Sequence, residues 1–207
     1  MGGLIVSTVL WDANAKSQVF SRCYSDDWAL RLFNGFRRHL TIPFTPVLFT
    51  DRARDLPKWI HQEIEPDLGA NGYGDCVRPF RLDKAMIFVG LDTLIIRNID
   101  NLARYCFEAD RIALPKHPYE DYSINGVVLC PAGQRRIFDD WRGENDMEWM
   151  RRWPHNRIDD LWPGKVVSYK ARVAQSGNPG KASIIYFHGK PKMQDLMHLQ
   201  VVGNNWK

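Results

Sequence analysis

The chain has 207 residues, 44% of them apolar and 25% charged, which suits one full-sized domain with a packed core and excludes a mainly disordered chain. Lys and Arg number 28 against 24 Asp and Glu, a net charge of +4 scattered without a long basic run, so the balance calls for no nucleic-acid groove. The apolar runs, Ala85 to Leu91 among them, fall far short of the ~18–20 residues a bilayer span needs.

Met1 to Ser7 carries neither a basic segment nor a cleavage site, so no signal peptide is expected. Cys23, Cys76, Cys106 and Cys130 form no C-x-x-C pair and read as free thiols of a cytoplasmic protein. Leu4 to Leu10 is a β-branched run that predicts a buried strand. Ser25-Asp26-Asp27 can cap a helix, and Trp28, Leu32, Phe36 and Leu40 recur every four positions, which predicts a helix over about 26–39. Pro46 to Asp51 predicts a second strand ending in a polar pair. Strand, helix and strand with an Asp at the carboxyl edge is the βαβ pattern of nucleotide-binding sheets. Trp59 to Glu65 predicts a short strand or extended link, and the glycines between Pro66 and Asp75 a loop. Arg81 to Phe88 looks helical at first, but Ile87-Phe88-Val89 and Leu94-Ile95-Ile96 flank Gly90 to Thr93 with strand-like residues, so a helix carrying Lys84 and then a strand around Asp92 are expected. Further along, a short helix is expected after Asn98, an extended piece at 112–115, a strand at 123–131, helices at 134–142 and 145–153, and strands at 166–169 and 183–187.

Two segments carry chemistry. Asp92 follows the apolar run Phe88-Val89-Gly90-Leu91, where a carboxylate needs a cation or hydrogen-bond donors. It either binds a divalent ion with phosphates or caps the next turn through Thr93 or Asn98. His188-Gly189-Lys190-Pro191-Lys192 leaves the last predicted strand with an imidazole, a flexible Gly and two cations. That set fits a metal-bound diphosphate, or a solvated surface turn.

The stretch Leu91-Asp92-Thr93-Leu94-Ile95-Ile96-Arg97-Asn98-Ile99-Asp100-Asn101-Leu102 resembles the "DLDTvivgniddL" signature of GT-A glycosyltransferases, especially those similar to family 8. Phe187 to Lys192 resembles that family's C-terminal H-x-x-G-x-x-K-P element in compressed form. Ser123-Ile124-Asn125-Gly126-Val127-Val128-Leu129 is similar to its "iNsGvml" strand, and Arg37 to Thr41 with Thr50-Asp51 matches further, so the likeness spans nearly the whole chain. The resemblance implies an α/β, GT-A (nucleotide-diphospho-sugar transferase) fold with a mixed, mostly parallel sheet flanked by helices. It also implies a glycosyltransferase that uses Mn²⁺ or Mg²⁺ to move sugar from a nucleotide-sugar donor, commonly a UDP-sugar, to a hydroxyl of a glycan or lipid-linked acceptor. The departing diphosphate develops charge that a metal and lysines offset.

By the same resemblance Asp92 and His188 are the metal ligands. Lys190 and Lys192 face the phosphates, Asp51 and the Thr8 region face the base and ribose, and Lys84 faces the donor. One domain over 1–207 is expected, with a nucleotide-sugar-binding half at 1–102, an acceptor half at 103–192 and a C-terminal strap at 193–207; without a spanning helix, contact with a membrane would be peripheral. The chain departs from the pattern at Gly90, which stands where the signature has its first Asp. With one carboxylate and one imidazole the ion would lean on water and donor phosphates. A catalytically inactive nucleotide-sugar-binding homologue and a nucleotidyltransferase are the two alternatives. An inverting enzyme needs a carboxylate base for the acceptor; Asp146 is the first candidate, and Asp121, Asp159 and Asp160 follow. Asp146 reads equally as an acidic residue in the first turn of a helix. Of Trp11, Trp149, Trp153 and Trp162, one or two are expected to contact sugar and the rest to be core.

Overall fold

In the computed structural model, which describes residues 3–207, the β-branched Leu4–Leu10 forms a strand (β1) buried along almost its whole length. Met1 and Gly2, on which the N-terminal signal-peptide reading partly rests, lie outside the described residues. Helix α1 spans Asp26–His39 and buries Trp28, Leu32, Phe33 and Phe36, the face that the fourfold spacing predicts. Strand β2 (Phe44–Thr50) runs parallel to β1 in the register Leu4↔Phe44 to Leu10↔Thr50. It takes in Pro46 because β3 (His61–Ile64) begins its pairing only at Val47↔His61, leaving an edge where a missing N–H is tolerated.

The strand-like Ile87-Phe88-Val89 does stand in a strand, but the expected helix carrying Lys84 is not formed. Its residues divide between a 3₁₀ run, Gly72–Leu82, and a strand, β4 (Met86–Val89). Pro79 lies inside the 3₁₀ run, and Asp83 ends it in a left-handed conformation with φ 51°. Met86 to Val89 then fills the sheet centre between β1 and β7 (Val127–Cys130). A strand covered on both faces reads as an unbroken apolar run, which periodicity cannot tell from a helix. Asp92 accordingly lies in the turn between β4 and β5 (Thr93–Ile95). Helix α2 follows at Asp100–Glu108 and β6 at Ile112–Leu114. The two later helices are shorter than expected: α3 covers Arg136–Asp139 and α4 Asp146–Met150. The Asn145 side chain caps α4 by accepting from the N–H groups of Met147 and Glu148 at 3.1 and 3.2 Å.

With β8 (His155–Arg157), the main sheet has seven strands in the order β3-β2-β1-β4-β7-β6-β8. It is mixed: β7 alone runs antiparallel to its neighbours. Ile87, Val89, Val127 and Leu129 point into the apolar layer under α1 and α2. Met86, Phe88, Val128 and Cys130 point into the layer on the opposite face. A second sheet of three strands sets β10 (Ile184–Tyr186) between β5 and β9 (Val166–Ser168). Helix α1 approaches β5 at Gly35, where a Cβ would lie 3.5 Å from Ile95. Residues 193–207 lie along α1: the Trp206 ring is 4.7 Å from that of Trp28, and Arg31 and Arg38 donate to the terminal carbonyls.

The segment before β4 is held by a buried charge. Asp75 is 0% exposed and accepts from Gly69 N–H at 2.6 Å, Asn71 N–H at 3.1 Å and Arg78 Nε at 2.9 Å. Arg78 also reaches Glu65 and Asp67. Asp75→Ala leaves the Gly69 and Asn71 N–H groups without their acceptor while Arg78 keeps Glu65 and Asp67, so it is expected to lower stability by about 1–3 kcal/mol. Denaturant unfolding measures the loss, and limited proteolysis should show new cleavage within 66–82. Unchanged stability and cleavage would mean that other contacts hold the segment.

Candidate active site

Ligands of open α/β sheets bind beyond the carboxyl ends of the strands. A cavity of about 300 Å³ lies there, walled by the ends of β1 and β4, the loop after β1, and the segments around Asn125, Asp146 and His188. The Trp11 ring lines it, 5.8 Å from the ring of Tyr73. Gly69 makes this wall possible, because at its φ of +89° a Cβ would stand 2.5 Å from the indole.

Strand β4 runs out at Val89, and Gly90 N–H donates to Gly126 O at 3.1 Å, tying the turn to the start of β7. A Cβ at Gly90 would lie 2.9 Å from Asp92 Oδ1, so the glycine leaves the space into which the Asp92 carboxylate folds. Phe187 N–H donates to Asp92 O at 2.9 Å, and His188 comes next in the chain and lines the same cavity. The two chemical segments are therefore brought together.

Asp92 already has a cation. Its Oδ2 accepts from Lys192 Nζ and, at 3.0 Å, from the Tyr24 hydroxyl. Lys192 is 1% exposed, donates also to Phe187 O at 3.0 Å, and lies over the rings of Phe20 and Tyr24 at 5.0 and 5.5 Å. Burial first, then the Asp92 charge, pushes the Tyr24 hydroxyl far above the usual phenol range, which keeps it a donor. His188 Nε2 lies 2.9 Å from Ser168 Oγ. Burial, then the neighbouring Lys170 and His117, holds its imidazole below the usual range, so it is neutral at neutral pH. This donor set does not fit Mn²⁺ or Mg²⁺. The single carboxylate is neutralised by a lysine, and among the described residues no three His, Cys, Asp or Glu side chains converge as a metal site.

The remaining expected residues are dispersed. Thr8 is buried inside β1, outside the cavity lining, and its hydroxyl has no hydrogen-bond partner among the described residues. Asp51 follows β2 and accepts from Asp12 N–H at 3.0 Å and Arg54 at 2.5 Å, bracing the loop after β1 without lining the cavity. Lys190 is exposed beside Gly189. Lys84 is not brought to the site: it precedes β4, at the end of the strand opposite the cavity, because the residues expected to form its helix became that strand. Asp121 is not brought there either; its side chain is 80% exposed and paired with Arg157 and Lys116. Trp149 is core, its Nε1 donating to Ile137 O at 2.7 Å. Sequence reasoning missed Tyr24 and Tyr73, which only the tertiary fold brings in. It also missed Lys170, whose Nζ lies 3.1 Å from where a Cβ of Gly189 would be.

Asp146 is buried in the cavity wall at the start of α4, and Asn125 Nδ2 donates to its Oδ2 at 2.6 Å. Burial pushes its pKa up to about 6, with the Asn125 amide and nearby N–H groups pulling the other way. A carboxyl that titrates near neutrality at a cavity wall can accept a proton from a hydroxyl.

No family model and no curated protein matches the chain. Among solved structures it is similar to the apo bifunctional glycosyltransferase WbbM, at 11% identity over 98% of this chain and 50% of that one, with TM-score 0.56. It is also similar to the galactosyltransferase LgtC in complex with donor and acceptor sugar analogues, at 9% identity over 98% of this chain and 96% of that one, with TM-score 0.61. The chain spans half the length of the first and nearly all of the second. Together with the mixed seven-stranded sheet, these neighbours establish the fold as that of the GT-A glycosyltransferases.

The raised carboxyl has a stability signature. Asp146 ionises near 3.8 when unfolded and near 6 when folded. Between those values the folded state holds the extra proton, so stability falls as pH rises, and above about pH 6 the full cost of about 2–3 kcal/mol persists. Asp146→Asn is therefore expected to melt above the wild type near pH 8, with the gain vanishing near pH 4. Thermal melts across that range test this, and an equal offset at every pH would show that the carboxyl is not raised.

Proposed function

We propose that the protein is a glycosyltransferase that takes a nucleotide-sugar, most simply a UDP-sugar, into the cavity beside Asp92 and transfers the sugar to a hydroxyl of a glycan or lipid-linked acceptor. The observation that carries the proposal is the convergence of Asp92, His188 and Asp146, from three distant parts of the chain, on one cavity at the carboxyl end of a GT-A sheet. Trp11 and Tyr73 offer flat surfaces for the base. Gly189, with φ +63°, lets the backbone come close to a diphosphate. Lys170 beside it supplies positive charge. Neutral His188, fixed by Ser168, donates or accepts a hydrogen bond without adding charge.

Asn125 and Asp146 then face the sugar and acceptor end of the cavity. Asp146 takes the proton of the attacking hydroxyl, and Asn125 holds the carboxylate in place. The Asp110 to Arg111 pair and the other surface ion pairs lie on exposed side chains and take no part. No helix among the described residues is long and apolar enough to cross a membrane, so a lipid-linked acceptor would be reached from the membrane surface. The metal assistance implied by the sequence resemblance is not carried forward, because the donor set does not suit it.

Isothermal titration with UDP and a transfer or hydrolysis assay with UDP-sugars test the proposal. UDP is expected to bind in the ~1 μM–1 mM range usual for enzyme substrates. Asp146→Asn should lower turnover about 10²–10⁴-fold while leaving UDP affinity nearly unchanged. UDP binding without any turnover would favour the inactive homologue, and preference for a nucleoside triphosphate the nucleotidyltransferase. Turnover that survives Asp146→Asn would remove Asp146 as the base.

A further inference from the structure

We infer that this protein binds its nucleotide-diphosphate donor without a divalent cation, because Lys192 is built into the chain as the counter-charge of Asp92. The inference rests on the proposed function and names the electrostatic device of that same site.

A carboxylate facing a diphosphate repels it unless a cation stands between or beside them. Here the cation is covalent. Lys192 Nζ donates to Asp92 Oδ2 and to Phe187 O, and the ammonium lies against the faces of Phe20 and Tyr24, so its bonding capacity is consumed inside the protein. At 1% exposure it has little access to water and cannot swing away without leaving a buried charge unpaired. The Tyr24 hydroxyl adds a second donor to the same carboxylate oxygen.

Position 90 completes the arrangement. Gly90 stands where the related signature has its first carboxylate, and a Cβ there would press on Asp92 Oδ1 at 2.9 Å. The glycine thus removes a ligand that an ion would need and leaves room beside Oδ1 of the remaining carboxylate, whose Oδ2 holds the lysine. His188, the other expected ligand, is engaged by Ser168 and lies near the ammonium of Lys170, which disfavours a further cation. A divalent ion entering here would have to displace a tethered ammonium from Asp92 with no second carboxylate to hold it.

The test is calorimetric titration of the whole protein with UDP, once in excess EDTA and once in excess Mn²⁺. The wild type is expected to bind with the same affinity in both, within about twofold. Binding that appears only with Mn²⁺ would overturn the inference and leave the proposed function standing. Absence of binding in both would overturn the two together. Lys192→Met leaves Asp92 without its counter-charge, so UDP binding in EDTA should weaken at least about tenfold and recover when Mn²⁺ is added, a gain of metal dependence that a purely structural lysine would not produce. Should that variant fail to fold, the wild-type comparison still decides; should it fold and bind as tightly as the wild type in EDTA, the inference is wrong.

Discussion

The hydrogen bond from Phe187 N–H to Asp92 O is the constraint on which the site depends. It extends the antiparallel ladder in which Tyr186 faces Thr93 and Ile184 faces Ile95. A slip of one residue in that ladder would turn every side chain of β10 to the other face. Ile184, Ile185, Leu94 and Ile95 are all buried, so the ladder is packed on both faces, with α1 against Ile95 at Gly35. Apolar burial in the small sheet therefore fixes the position of polar groups at its end. His188 reaches the cavity, and Lys192 returns beneath it to Asp92, only because that register holds.

Much of the frame was legible in the sequence. The β-branched run of β1, the fourfold apolar spacing of α1 and the short strands at 166–168 and 184–186 carry local signals strong enough to read unaided. Ile87 to Val89 is strand-like in sequence and stands in β4, but the helix expected at Lys84 is not formed, because a strand buried on both faces has no alternation and Pro79 and Asp83 mark the break too subtly for periodicity. Moving that boundary carried Lys84 to the wrong end of the sheet. The meeting of Asp92 with His188 was legible through family-like spacing. The pairing of Asp92 with Lys192 was not, since two lysines follow His188 and nothing in their order says which one is buried. Trp11 was a plausible wall residue; Tyr73 comes from the 3₁₀ run and Tyr24 from the approach to α1, which only tertiary packing assigns to the cavity.

The Asp92 to Lys192 pair also changes when ordering is completed. An ion from solution is collected anew with each donor, at an occupancy set by its concentration. A tethered ammonium is ordered once, when the chain folds, and its loss of freedom falls on folding instead of binding. The rings of Phe20 and Tyr24 and the Phe187 carbonyl share that burden by satisfying the charge in a setting that excludes water. On the proposed function, the cavity presents a neutral floor to an incoming diphosphate at any ion concentration.

Asp146 shows the opposite bargain on the facing wall. Its carboxyl is held in a setting that burial makes unfavourable for charge, with one side-chain amide donor at 2.6 Å to steady it. Such a group weakens the fold at neutral pH, so the neighbouring segment has to be firm for other reasons. Cys76, which lies in the same wall, follows directly on Asp75, whose four hydrogen bonds, the one from Arg78 included, fix the 3₁₀ run. The Asn145 cap fixes the other side. Asp75, with its carboxylate bonded to backbone and side-chain donors, thus firms the segment that carries Cys76 into the wall, beside Asp146, whose carboxyl burial raises and the Asn125 amide steadies for proton transfer.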